Sequence, residues 1–325
     1  MIAMDECRAI VLEGVDEVGK STLAAALQAK LGNHWRVVHT TAPPKTASPR
    51  QIADQYLTTV MATPYAIYDR LHLGEVVYGP VRRQRPAAVS WPWLRLVELA
   101  LLSDGAMLVY VAPPRDAEDR WRRAGESFDE QYRLHLEYRA QLRQTWLPVL
   151  IVQMDMPDET IAVADRIAYL RRRLVALPSA WRLGELVGSP WAEWLLLGER
   201  RNGRDGPGIP FRGPTGPVIL RAVDQPVLLA NSQPLGGQLA IAAQDACIDA
   251  WLRRRGFHGV VPLGHVAEKM LAERSWRHDR RLTIAKRVPH PAYWRRFRST
   301  ESYRTRLEQV MAAARGPQRW RSTKP

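Results

Sequence analysis

Ala9-Ile-Val-Leu-Glu-Gly-Val-Asp-Glu-Val-Gly-Lys-Ser-Thr22 is the stretch on which the reading of this 325-residue chain turns. Residues 10–13 read as a short buried strand. Gly14-x-x-x-x-Gly19-Lys20-Ser21 then completes a phosphate-loop pattern, and residues 22–31 read as a helix with Leu23, Leu27 and Leu31 at helical spacing. Strand, glycine loop and helix form the context that gives the pattern meaning. Gly14 and Gly19 let the loop fold back so that its N–H groups converge on anionic oxygens, and the helix N-terminus adds partial positive charge. Lys20 is expected at the outer phosphates and the Ser21 hydroxyl on Mg²⁺. The plainer alternative is a chance glycine-rich turn between a strand and a helix.

Outward from that stretch the chain alternates. Residues 35–40 read as a second strand, and 41–50, with Pro43, Pro44 and Pro49, as a loop. Residues 64–68 read as a third strand ending on Asp69-Arg70, 93–102 as a helix, and 106–111 as a strand closed by Pro113-Pro114. A charge-dense, mostly helical stretch over 115–146 leads to a strand at 149–152 and an amphipathic helix over 158–174. This alternation predicts an α/β domain with a parallel sheet covered on both faces.

Several of these segments resemble thymidylate kinases. Glu13-Gly-Val-Asp-Glu-Val-Gly-Lys-Ser-Thr22 resembles the family's phosphate loop, including the acidic Asp16. Asp69-Arg70 resembles its Asp-Arg motif, and Asp69-Arg-Leu-His-Leu-Gly-Glu-Val-Val-Tyr-Gly79 resembles phage-type members in particular. Val109-Tyr-Val-Ala-Pro-Pro114 resembles the strand before the lid, and Arg120, Arg122 and Arg123, followed by Phe128-Asp-Glu, resemble the lid. The resemblance implies a P-loop kinase domain over residues 1–175 that uses ATP and Mg²⁺. Gly14, Asp16, Gly19, Lys20, Ser21 and Thr22 would bind the nucleotide, and Ser21 and Asp69 the metal or its waters. Arg70 would grip the acceptor phosphate, because a guanidinium fork suits phosphate oxygens. Lys20 and the lid arginines would neutralise charge along the transfer path, and His72 and Glu75 would line the acceptor pocket. Beside these stand a local ion pair for Asp69-Arg70, a solvated helix face for the lid arginines, and plain packing for His72 and Glu75. The long loop with Arg82, Arg83 and Arg85 near Trp91 and Trp93 departs from the compact family pattern and leaves the acceptor open.

Pro178, Gly184, Gly188 and Pro190 mark residues 176–190 as a linker, with a second domain over 191–325. Strands are expected at 194–197, 227–230, 259–263 and 282–288, and helices at 239–255, 264–273 and 300–314, a second α/β layer fold. This half more weakly resembles the uracil-DNA glycosylase superfamily. Gly198-Glu199 with Gly208-Ile-Pro-Phe211-x-Gly213 is similar to the first motif of its iron–sulfur branch, and Val260-Val-Pro-Leu-Gly264 to a following strand. Asn231 matches the residue that reads the base edge, and His290-Pro-Ala-Tyr-Trp294 resembles the second motif. The resemblance implies that Phe211 stacks on an extruded base and that His290 stabilises charge on its carbonyl. Glu199, Asn202 and Asp205 are the groups near the expected water. The branch's cluster cysteines are absent, since Cys7 and Cys247 are the only cysteines, and Arg200-Arg201-Asn202 replaces the Pro-Gly part of the first motif. A working glycosylase, a base- or DNA-binding relic and a structural domain all remain open.

The two cysteines exclude a disulfide framework within one chain and an all-cysteine metal or iron–sulfur site. No apolar run approaches the ~20 residues needed to span a bilayer, so no membrane partner is expected. Asp5, Glu6 and Arg8 interrupt the opening residues where a secretory leader would be apolar, so the expected compartment is the cytoplasm. The net charge is +14, shared unevenly: residues 1–175 hold 22 Lys and Arg against 21 Asp and Glu, the remainder 25 against 12. A basic second half suits a nucleic-acid partner, with a solvated basic face as the alternative. Tyr293, Trp294, Arg295, Arg296, Phe297 and Arg298, then Arg319, Trp320 and Arg321, interleave phosphate-binding and stacking groups.

Four functions follow as expectations. The first is an ATP-dependent deoxynucleoside monophosphate kinase fused to a glycosylase-like nucleic-acid domain. The second is a kinase acting on a modified, hydroxymethylated pyrimidine within DNA. The others are a DNA glycosylase with a regulatory nucleotide-binding domain and a non-catalytic DNA-binding protein.

Overall fold

The computed structural model describes residues 6–82, 87–156, 158–200, 210–213, 215–253, 259–293 and 299–315. The chain divides into two compact units, one centred on Ala3–Ser179, the other on Trp191–Pro325 together with Ala180–Val187.

In the first unit, β1 (Ala9–Glu13) is buried at all five positions. Successive strand residues point to opposite faces, so complete burial means both faces of the sheet are covered at this strand. β1 lies at the centre of a five-stranded sheet with β2 (Arg36–His39), β3 (Ala66–Asp69), β4 (Met107–Ala112) and β5 (Val149–Gln153), in the order β2-β3-β1-β4-β5. Every pairing is parallel. The register sets Leu12 beside Asp69 and Glu13 beside Tyr110, so β3 ends one position short of β1 while β4 runs two residues past it. Non-sequential neighbours beside β1 leave a crevice at those carboxyl ends, where ligands of open α/β sheets bind. The helices pack in pairs: α1 (Lys20–Leu31) with α7 (Glu159–Arg171), α2 (Pro49–Ala62) with α4 (Trp91–Ser103), and α3 (Leu73–Arg82) with α6 (Phe128–Gln141). The charge-dense stretch expected as mostly helical breaks into α5 (Ala117–Arg123) and α6.

Two helices depart from the sequence reading. Pro49 opens α2 rather than extending a loop, because its missing N–H is one that a first-turn residue leaves unpaired anyway. Ser48 caps that helix: the Gln51 amide donates to Ser48 Oγ at 3.3 Å and the Ser48 amide to Gln51 Oε1 at 2.8 Å. This capping box is legible in Ser48-Pro-Arg-Gln51. Beyond Arg70, α3 runs through part of the expected acceptor loop with Pro80 inside it. Arg83 and Arg85 lie outside the described residues.

The second unit holds another five-stranded sheet, in the order β10-β9-β7-β8-β6. Its strands are β6 (Leu186–Gly188), β7 (Trp194–Arg200), β8 (Leu228–Gln233), β9 (Gly259–Pro262) and β10 (Thr283–Ile284). The pairs β7–β8, β7–β9 and β9–β10 are parallel. α8 (Gly216–Arg221), α9 (Gly237–Leu252), α10 (His265–Leu271) and a further helix, Thr300–Arg315, accompany it. The segment 176–190, expected as a linker, carries a short 3-10 turn at Ser179–Trp181 and the fully buried strand β6. Apolar Leu186 and Val187 find a sheet edge to cover, which outweighs the loop signals of the glycines and prolines around them. Among the described residues no helix is long and apolar enough to cross a membrane.

Candidate functional site

Two glycines shape the loop between β1 and α1. A Cβ on Gly14 would fall 2.5 Å from the Val111 carbonyl oxygen, so the backbone approaches β4 more closely than any side chain permits. Gly19, the N-cap of α1, has φ +88°, in the left-handed region. The loop opens onto a cavity of about 400 Å³ lined by Gly19, Lys20, Ser21, Thr22, Asp69 and Arg70, among others. These predicted residues converge because β3 lies next to β1. The Arg70 amide donates to the Leu12 carbonyl at 2.9 Å and carries the Asp69-Arg70 corner up to the loop. Arg70 itself has φ +67°.

Ser21 Oγ donates to Asp69 Oδ2 at 2.7 Å, and His39 Nδ1 lies 3.2 Å from the same oxygen. A hydroxyl and a carboxylate are hard oxygen donors of the kind Mg²⁺ takes, usually with waters and substrate phosphates completing its shell. Among the described residues no cluster of three or more His, Cys, Asp or Glu stands ready for a metal, so a cation here would depend on such additional oxygens. Lys20 is buried and donates from Nζ to the Val15 carbonyl. Burial, with Arg70 adding like charge, pulls its ammonium from 10.5 down to about 8.

Asp16 is the most heavily engaged residue of the loop. Its Oδ1 takes Arg70, and its Oδ2 accepts from Arg82 Nη2 at 2.9 Å and from Gln131 Nε2 at 3.3 Å. Its amide donates to Gln131 Oε1 at 3.2 Å, and its carbonyl accepts from Trp121 Nε1 at 2.9 Å. Burial by itself raises this carboxyl, but the Arg70 guanidinium, with hydrogen bonds from Arg70 and Gln131, holds it below its usual range. Sequence reading missed Gln131 and Trp121, since nothing local marks residues that reach back more than a hundred positions.

Glu13 escaped the same reading although a signal was present, an acidic residue ending an apolar strand. Its Oε1 accepts from the Leu71 amide at 3.1 Å and the Leu73 amide at 3.3 Å, and its Oε2 from the Tyr138 hydroxyl at 3.1 Å. Burial pushes its carboxyl up against these bonds and the nearby His72. Glu13 thereby holds the start of α3 against the end of β1.

A second cavity, of about 270 Å³, lies beyond Arg70 and is also lined by Tyr56, Glu75, Tyr78 and Arg82. The Tyr56 hydroxyl donates to Glu75 Oε1 at 2.9 Å. His72, expected in an acceptor pocket, lies elsewhere. It is fully buried with Nε2 3.2 Å from Glu98 Oε1, and Glu98 is also bound by the Thr145 hydroxyl and by the Trp146 amide at 3.0 Å. Burial in an apolar helix–sheet layer has made this pair a core device. The lid arginines also stay apart from both cavities. Arg120 pairs with Asp116 at 2.8 Å, Arg122 with Glu118 at 2.7 Å and Asp119 at 3.1 Å, and Arg123 bonds the Asp119 carbonyl at 3.2 Å. Their partners lie three and four positions earlier, acidic side chains for Arg120 and Arg122 and a backbone carbonyl for Arg123.

In the second unit, Phe211 and Asn231 meet at Gly198. A Cβ there would fall 2.1 Å from Phe211 Cζ and 2.9 Å from Asn231 Oδ1. Phe211 is buried with φ +58°, and Asn231 is buried within β8. Gln244 Nε2 supports that strand by donating to the Asn231 carbonyl at 3.1 Å. Glu199 packs on Gly264, where a Cβ would fall 1.9 Å from its Oε1. Burial pushes the His290 imidazole down while Glu199 opposes the shift, and His290 Nδ1 accepts from the Ala292 amide at 3.2 Å. That bond leaves Nε2 as the protonated nitrogen of the neutral ring. Asn202 and Asp205 lie outside the described residues, as do residues 294–298 and 316–325 of the basic aromatic tail.

No protein-family model matches the sequence, and no curated protein does. Among solved structures the chain is similar to the YorR protein of Bacillus subtilis, determined in complex with phosphorylated GDP. The identity is 20% and the TM-score 0.43, over 50% of this chain and 94% of that one.

Proposed function

We propose that the first unit transfers the terminal phosphoryl group of ATP to a deoxynucleoside monophosphate. The observation that carries this reading is the Ser21–Asp69 hydrogen bond beside Lys20, with a second cavity opening past Arg70. In this reading the loop amides and Lys20 hold the triphosphate in the larger cavity. Ser21 and Asp69 would hold Mg²⁺, which when bound would supply charge neutralisation. Arg70 aligns the acceptor phosphate from the smaller cavity, and the two substrates meet in line across the corner that Asp69 and Arg70 share. Transfer of this kind calls on positioning and electrostatics rather than on a covalent intermediate. The test is release of ADP when the chain is given ATP, Mg²⁺ and each deoxynucleoside monophosphate in turn, with single-stranded DNA carrying hydroxymethylated pyrimidine as a parallel acceptor. Release with a monophosphate supports the reading. Release with DNA alone replaces it with the modified-base kinase, and release with neither removes both.

A second reading concerns the other unit. The meeting of Phe211 and Asn231 at Gly198 favours a pocket that stacks and reads a nucleobase, with His290 and Glu199 as accompanying polar groups. Binding of uracil-containing DNA that fails in Phe211→Ala tests it, and alkali-sensitive strand cleavage after incubation separates base removal from base binding.

A further inference from the structure

Arg82 closes α3, and three carboxylates from separate parts of the first unit hold its guanidinium. Besides Asp16, Nη2 lies 3.2 Å from Glu126 Oε2, and Nε donates to Glu130 Oε1 at 2.7 Å. Arg70 takes the other oxygen of Asp16. Two guanidiniums thus share one carboxylate, and both also lie over the Tyr78 ring, at 5.7 Å for Arg70 and 5.0 Å for Arg82. Both line the smaller cavity, and both remain partly open to solvent.

We propose that Arg82 is an acceptor-binding residue, which with Arg70 grips the phosphate of a phosphomonoester, while Asp16 acts as the clasp that keeps the two guanidiniums together. The inference rests on the kinase reading and names the group its acceptor must carry. Two cations gathered at one cavity repel each other unless anionic charge lies between them. Asp16 supplies one such charge, and an incoming phosphate dianion offers two, with more acceptor oxygens than a carboxylate has for two forks. Glu126 and Glu130 keep Arg82 in place without Asp16, so Arg82 stays at the cavity when the clasp gives way to the ligand. An uncharged nucleoside would gain nothing from this pair.

The experiment measures ADP release by wild type, Arg82→Ala and Arg82→Lys, varying ATP and the deoxynucleoside monophosphate separately. Arg82→Ala is expected to raise the KM for the acceptor about 10- to 100-fold. Arg82→Lys is expected to fall between, since charge is kept and the fork is lost. The KM for ATP should move less than about threefold in both, because uniform weakening of one substrate leaves the other untouched. Calorimetric titration with the parent nucleoside, which lacks the phosphate, should give equal affinities for all three proteins. Should Arg82→Ala fail to fold, Arg82→Lys carries the comparison. An acceptor KM unmoved in the variants overturns the inference and leaves the kinase reading standing. Equal losses for nucleoside and monophosphate also overturn it, as the mark of a merely structural residue. If wild type phosphorylates no monophosphate, the kinase reading fails, and titration of the same monophosphates decides the phosphate site separately. Tighter binding to wild type than to the variants then supports the site; no binding, or equal binding to all three, overturns it.

Discussion

Ser21 and Asp69 lie 48 positions apart, yet Ser21 Oγ donates to Asp69 Oδ2 at 2.7 Å, one residue from Lys20. The bond exists because β1 and β3 are parallel neighbours whose ends fall within one position of each other, so a helix starting after β1 meets the last residue of β3. Asp69→Asn keeps the shape and removes the charge. It should lower kcat/KM for transfer by roughly 10²–10³ and raise the Mg²⁺ concentration needed for half-maximal rate. Unchanged Mg²⁺ dependence in a coupled ADP assay would detach Asp69 from the metal.

Lys20 should reveal itself through pH. Its folded value, about 8, lies below 10.5, so between those limits the unfolded chain holds the extra proton and this group's contribution to stability rises with pH. Below pH 8 the folded state bears the buried charge, on the order of 3 kcal/mol by linkage. Lys20→Met should therefore be more stable than wild type below pH 8, with an advantage that shrinks as pH climbs toward 10.5. Urea denaturation of both proteins across this range checks the trend, and Lys20→Met should show no phosphoryl transfer.

His72→Ala should unsettle the fold rather than the acceptor. Removing the His72 side chain takes one buried hydrogen-bond partner from Glu98, which keeps Thr145 and Trp146, and a loss of about 1–3 kcal/mol is typical of such a cut. The measurement is denaturant stability beside acceptor KM. A large rise in KM with intact stability would return His72 to the acceptor pocket.

Gly198→Ala tests the second unit. The new methyl group would overlap the Phe211 ring and crowd Asn231, costing about 1–3 kcal/mol as an overpacked position. DNA binding by the whole chain should lose discrimination among bases while the slope of log affinity against log salt stays the same, since that slope counts phosphate contacts. A changed slope with discrimination intact would place the DNA contacts elsewhere.

Local chemistry made part of this protein legible in its sequence. The strand, glycine loop and helix of residues 9–31 could be read because Gly14 and Gly19 answer to backbone constraints a few residues long, and because a parallel sheet leaves apolar runs between helical repeats. The capping box at Ser48 and the acidic end of β1 were equally local and legible in principle. Partner choice was not. Arg70, Arg82, Gln131 and Trp121 come to Asp16 from four separate segments, and only the strand order β2-β3-β1-β4-β5 and the packing of α3 on α6 bring them there. Arg120, Arg122 and Arg123 carried the right charges for a phosphate site, but on α5 their neighbours are acidic residues one turn away. His72 stands two residues after Arg70, yet it is fully buried against Glu98: the backbone turns at Arg70, with φ +67°, and α3 begins only at Leu73, so no regular periodicity relates the two side chains. The sequence by itself determined the turns and their backbone demands, which depend on a few adjacent residues. Tertiary structure alone decided which charged group faces a ligand and which faces another charge, since that depends on which distant strands become neighbours.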